Sequence, residues 1–226
     1  MNVGTKMFVR EITPPFIFRG MRHLFHVLSS RNRQETWGEK PAEWYDALYE
    51  VSAEYRKHYS QSEYYFLWTV LVDRIMRYGL SNILDIGCGP GQFATLLYEK
   101  GFKQYCGIDL SPKCIELAKG KCASFEFIVA DIFNTNVLKV RDYDCLVALE
   151  FLEHVEDDLA VLHKVRSGTR FFGSVPNFPY DSHVRHFTSL NQVRDRYEPH
   201  FSSFQVDKFL GDPKGKIFYV MEGIKR

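Results

Sequence analysis

The stretch Ile83-Leu84-Asp85-Ile86-Gly87-Cys88-Gly89-Pro90-Gly91 constrains this chain more than any other. An apolar run of strand length passes directly into three glycines at alternate positions, and a helical pattern follows. Glycine permits a tight turn there and lets backbone N–H groups approach a ligand, while the helix behind presents the positive end of its dipole. A polar or anionic ligand at the end of a buried strand is therefore predicted. The dinucleotide fingerprint G-x-G-x-x-G would need glycine where the chain has Gln92, and no G-x-x-x-x-G-K phosphate loop is present.

The rest of the chain supplies a matching rhythm. Short apolar runs at 83–86, 105–108, 125–129, 145–148 and 170–175 alternate with helical patterns at 92–100, 112–119 and 153–165, which predicts parallel strands joined by crossover helices. Two later runs, 204–210 and 216–221, flank the turn signal Gly211-Asp212-Pro213-Lys214-Gly215 and read as an antiparallel hairpin. At 226 residues with 45% hydrophobic content the chain can bury a substantial core, and 29 basic against 28 acidic residues exclude a globally basic nucleic-acid binder. Five cysteines without a C-x-x-C pair fit neither a zinc ribbon nor a disulfide framework. No window approaches the ~18 uncharged apolar residues of a membrane span, and the first residues lack a signal peptide's apolar stretch, so the cytoplasm is the expected location.

Two aspartates follow the next two strands in register with the glycine loop. Asp109 closes the run Cys106-Gly107-Ile108, where a carboxylate can accept hydrogen bonds from ribose hydroxyls, and Asp131 follows Val129-Ala130. Either alone can also be read as a helix cap or loop anion. Together, Asp85, the G-x-G-x-G loop, Asp109 and Asp131 resemble the class I S-adenosylmethionine-dependent methyltransferases over roughly residues 80–210. The resemblance implies an α/β, Rossmann-like fold, a mostly parallel seven-stranded sheet with helices on both faces and a C-terminal antiparallel hairpin, to which the residues before 80, read by themselves, add an N-terminal helical cap. It implies S-adenosylmethionine as cofactor, with Asp85, Gly87, Gly89 and Gly91 at its methionine end, Asp109 at the ribose, Leu110 against the purine, and Asp131 with Ile132 at the adenine.

Ligands of such sheets meet outside the carboxyl ends of the strands, so the segment after the fourth strand, Glu150-Phe151-Leu152-Glu153-His154, is where chemistry is expected. If it begins a helix, Glu150, Glu153 and His154 share a face. The string E-x-x-E-H resembles the ubiquinone-biosynthesis O-methyltransferases and the small-RNA 2′-O-methyltransferases, in which such residues and a later histidine hold magnesium. His183 fits the later position best and His186 is the runner-up. Three readings stand side by side. Glu150, Glu153, His154 and His183 chelate Mg2+ or Mn2+; or His154 acts as general base without a metal, with Glu150 beside it; or the cluster is structural.

Three zones are expected: a basic amphipathic arm over 1–34, an aromatic-rich helical cap over 35–80 and the cofactor-binding domain over 81–226. The arm has six basic residues against Glu11 alone, and 16–33 reads either as a helix that packs on the body with its arginines in water or as a contact for an anionic membrane surface or substrate. The cap holds Trp37, Trp44, Trp68 and many tyrosines, which suit a cover over something apolar or planar and suit plain packing equally. A small or glycan-linked hydroxyl acceptor is the leading expectation, the latter from a loose resemblance to methyltransferases of bacterial surface-polysaccharide pathways. With no basic stripe on the body, RNA ranks low as an acceptor. N-methylation and a catalytically silent partner subunit are the remaining alternatives.

Overall fold

Seven strands form one sheet in the order β3-β2-β1-β4-β5-β7-β6. The computed structural model describes residues 38–226. Strands β1 (Asn82–Ile86), β2 (Gln104–Asp109), β3 (Glu126–Val129), β4 (Cys145–Leu149) and β5 (Arg170–Pro176) run parallel. Strands β6 (Phe201–Leu210) and β7 (Ile217–Lys225) form the C-terminal hairpin, with β7 antiparallel to both β5 and β6. The predicted strand runs are all present, the hairpin being longer than its apolar core.

The central strands are buried on both faces, which is why they read as continuous apolar runs. Alternate residues feed two cores. Ile83, Tyr105, Val147 and Phe172 pack against helices α2 (Tyr65–Arg77), α3 (Gln92–Glu99) and α4 (Pro112–Lys121). Leu84, Cys106, Leu146 and Phe171 pack against the short turn α5 (Val137–Val140) and helices α6 (Asp158–Lys164) and α7 (Leu190–Tyr197). All five cysteines are buried free thiols.

The aromatic zone is helical, as its pattern predicts: α1 (Ala42–Val51), two single 3₁₀ turns and α2. Helix α2 buries Leu67, Trp68, Leu71, Val72 and Ile75, a stripe at helical spacing, in the sheet core. Tyr64, just before it, stacks on Trp68. The basic arm, its amphipathic segment 16–33 and Trp37 lie outside the described residues. Among the described residues no helix is long and apolar enough to cross a membrane.

One predicted element is different. In place of a helix over 153–165, a single 3₁₀ turn, Leu152–His154, precedes an extended Val155, and α6 starts only at Asp158. The Asp157 side chain accepts the Ala160 N–H at 3.2 Å and so caps the helix there. Glu150 sits just past β4 at φ +50°, the sole described non-glycine residue with positive φ. Glu150, Glu153 and His154 therefore do not share a helix face.

Candidate active site

Strand order reverses between β1 and β4, and the crevice outside their carboxyl ends is where a sheet of this kind takes its ligands. The glycine loop fills the β1 side. Gly87 and Cys88 donate their N–H groups to the Ile108 carbonyl at 2.8 and 3.0 Å, and Gly89 donates to Asp109 Oδ2 at 3.2 Å, folding the loop back over the end of β2. A Cβ on Gly87 would lie 2.5 Å from the Phe151 ring, whereas one on Gly89 meets nothing within 4 Å. The loop thus closes tightly on the protein side and leaves open space on the ligand side. Gly91 precedes α3 as its N-cap.

A cavity of about 290 Å³ runs from Gly87 past Ile108, Asp109 and Leu110 to Asp131 and Ile132, with Tyr45 and Tyr49 of α1 across it. Asp109 accepts N–H groups from Gly89 and, at 3.0 Å, from Ser111, yet burial still raises its carboxyl above the ordinary range. Hydroxyl donors from a ribose would relieve that desolvation. Leu110 and Ile132 offer apolar wall. Asp131 is exposed and its two oxygens hold the Phe133 N–H and the Asn134 amide, so it shapes the turn beside the cavity. Asp85 lies deeper, on a smaller cavity of about 150 Å³; it accepts the Tyr105 hydroxyl at 2.7 Å, and burial pushes its pKa up to about 7. These cavity walls fit the nucleoside and amino-acid ends of the expected cofactor.

A third cavity, about 280 Å³, is walled by Tyr55, Tyr64, Phe178, Tyr180, His183 and Lys216. Glu150 and His154 are the two residues that line all three cavities. Glu150 is fixed by Ser174: its N–H donates to the Ser174 carbonyl at 3.2 Å and to Oγ at 3.0 Å, and its Oε1 accepts the Ser174 hydroxyl at 2.7 Å. Burial pushes its pKa up to about 8.

Below it, Glu153, His154 and His183 converge, with one ligating atom of each within 4.8 Å of the others. His154 Nδ1 lies 3.1 Å from the Ser182 carbonyl and 3.3 Å from the Tyr45 hydroxyl. His183 Nδ1 lies 3.1 Å from the Phe178 carbonyl. A carbonyl only accepts, so both imidazoles carry the proton on Nδ1 and keep the Nε2 lone pair. Burial lowers both pKa values, that of His154 to about 4. Glu153 is fully buried, and neither carboxylate oxygen has a hydrogen-bond partner among the described residues. An orphaned carboxylate beside two imidazoles whose other nitrogens are tied to carbonyls is a donor set that fits a divalent cation. Of the predicted ligands, Glu150 lies outside this trio, engaged with Ser174, and His186 is exposed.

Several residues here have no signature in the sequence. Ser174, the Ser182 carbonyl and Tyr45 act across separations of 24, 28 and 109 residues. The aromatic zone left cover and packing open, and the structure divides it: Tyr45 and Tyr49 line the cofactor cavity, while Trp68 belongs to the sheet core.

A family model described as a methyltransferase domain matches residues 18–210. The malonyl-[acyl-carrier protein] O-methyltransferase of Hamiltonella defensa is 27% identical over 142 residues, covering 56% of this chain and 55% of the relative. The ubiquinone biosynthesis O-methyltransferase of Nitrosomonas europaea is 32% identical over 111 residues, covering 44% and 46%. The chain thus spans about half the length of the curated relatives it matches. Among solved structures, the plantazolicin methyltransferase BpumL in complex with S-adenosylhomocysteine superposes with a TM-score of 0.59 over 80% of this chain and 94% of that one, at 14% identity, a likeness of fold.

Proposed function

The chain belongs to the methyltransferase-domain family, the class I S-adenosylmethionine-dependent methyltransferases, and from that membership we propose that it methylates a hydroxyl oxygen of a small acceptor seated in the aromatic cavity, with a divalent cation at Glu153, His154 and His183. The observation that carries this reading is the shared wall: Glu150 and His154 face the cofactor cavities and the aromatic cavity at once. Bound S-adenosylmethionine supplies an electrophilic methyl group on its sulfonium. Transfer is then an in-line displacement, and the protein's part is to position the acceptor oxygen and keep competing water out. Asp109 would orient the ribose, the glycine loop the methionine end, and Tyr45 and Tyr49 would cover the nucleoside.

A cation held by Glu153, His154 and His183 would lower the pKa of a hydroxyl nearby. The unpartnered Glu153 carboxyl favours this over a metal-free site: burial, with Glu150 nearby, raises its pKa well above the ordinary range, and a divalent cation would supply both the missing partner and the positive charge that lets it ionise. Oxygen is favoured over nitrogen by the two curated relatives, both described as O-methyltransferases. The size and tyrosine-rich wall of the outer cavity favour a compact ring-bearing hydroxyl compound, a phenol or a sugar, free or at the end of a glycan.

The test is a Mn2+ titration followed by electron paramagnetic resonance on protein saturated with S-adenosylhomocysteine, beside transfer of a tritiated methyl group to catechols, phenols and sugars. One Mn2+ per chain, lost in Glu153→Gln, with label on acceptor oxygen, is expected. No bound Mn2+ alongside intact transfer would leave a metal-free site with His154 as base, and label on nitrogen would overturn the oxygen assignment.

A further inference from the structure

The turn that carries Glu153 and His154 is not a helix, so the carbonyls that a helix would have satisfied need another donor. Arg185 supplies it. Its Nη1 donates to the Leu152 and Val155 carbonyls, both at 2.6 Å, and its Nη2 to the Glu156 carbonyl at 2.7 Å. The same guanidinium lies 3.2 Å from Asp158 Oδ2. Asp158 is fully buried, gripped by Arg196 through Nε and Nη2 at 2.8 and 2.5 Å, and accepts the Tyr197 hydroxyl at 2.7 Å. Arg185 thus lies between the buried Asp158 carboxylate, which its Nη1 approaches, and the three carbonyls that its two terminal nitrogens reach.

Arg185 also stands two residues after His183. Next to it the Val184 N–H donates to the Glu153 carbonyl at 2.8 Å, and the Ser182 carbonyl holds His154. Two loops from different strand ends are therefore stitched at one seam. We infer that Arg185 is the positioning residue of the site: it pins the 152–156 turn to the 182–185 loop so that Glu153, His154 and His183 meet. The inference rests on the reading of that trio as a cation site. A lysine cannot replace it, because one ammonium on a flexible stem does not reproduce a rigid fork across three acceptors.

The experiment compares wild type with Arg185→Lys by Mn2+ paramagnetic resonance, by S-adenosylhomocysteine affinity, and by amide hydrogen exchange of segments 150–157 and 180–187. The expected result is a 10- to 100-fold weaker Mn2+ affinity, in the range for loss of an outer partner of a metal site. Cofactor affinity should fall less than Mn2+ affinity, because Asp109 and the glycine loop lie outside both segments, and both segments should exchange faster together. Unchanged Mn2+ affinity in the folded variant overturns the inference. If Arg185→Lys does not fold, wild type decides: without Mn2+ the two segments must open together with matching exchange rates, and exchange of one well ahead of the other overturns it. A wild type that takes up no Mn2+ removes the cation reading; the pinning is then judged by exchange alone, supported if the variant loosens both segments and overturned if it loosens neither.

Discussion

Asp109 is the residue on which cofactor affinity should depend most. Its carboxyl lines the cavity with two backbone donors already in place, so replacing it removes the acceptor proposed for the ribose as well as the tie to Gly89. Asp109→Ala should weaken S-adenosylhomocysteine binding by at least tenfold in calorimetry, about the 1.5–3 kcal/mol of a hydrogen bond to a charged group. Asp85 leads to a pH effect. Its folded pKa is about 7, raised by burial, so the folded chain keeps a proton that the unfolded chain has lost. Its share of stability is therefore complete below the ordinary carboxylate pKa and is lost as pH rises towards 7, at up to roughly 1.4 kcal/mol per unit. Denaturation profiles of Asp85→Asn should be flatter than wild type over that window. Asp85, the glycines and Asp109 were legible in the sequence because each sits at a fixed offset from a strand end. The φ of Glu150 was not, because it is imposed by Ser174 on a neighbouring strand.

Among the elements, α1 is docked through polar groups that the sequence did not advertise. Asp46 accepts the Ser111 hydroxyl at 2.5 Å and the Lys113 N–H at 3.0 Å, adding a second acceptor at the N-terminus of α4, and Lys113 pairs with Glu50 at 3.1 Å. Ser111 in turn donates its N–H to Asp109, so the cap helix and the predicted ribose contact share one junction. Asp46→Ala should cost about 1 kcal/mol in urea denaturation, the usual worth of a helix cap, and should weaken S-adenosylhomocysteine binding several-fold. Its effect on binding is what separates docking from packing. Strands β1, β2, β4 and β5 were legible because burial on both faces leaves short runs that are mostly apolar, whereas β3, at the sheet edge with Glu126 and Val129 exposed, was legible from its place in the alternation. The helix expected over 153–165 failed because Asp157 offers its own cap, and because Arg185, thirty residues on, satisfies the carbonyls that helix formation would otherwise have needed.

For the whole molecule, ligand binding couples to a sheet with two cores. S-adenosylhomocysteine at a hundredfold excess over its Kd should stabilise the fold by about 2.7 kcal/mol, and at about 2–4 °C per kcal/mol for a chain of this size the melting temperature should rise by about 5–10 °C. A thermal shift measures it, and Asp109→Ala should show little at the same concentration. The cavities themselves were not legible. Their walls come from the cap, the ends of all five parallel strands and the hairpin tip, where Lys216 pairs with Glu63 at 3.0 Å. The cofactor cavity and the aromatic cavity have Glu150 and His154 in common and no other lining residue. A molecule confined to one of them therefore leaves the rest of the other's wall untouched. Initial-rate kinetics should accordingly show S-adenosylhomocysteine competing with S-adenosylmethionine and not with the acceptor.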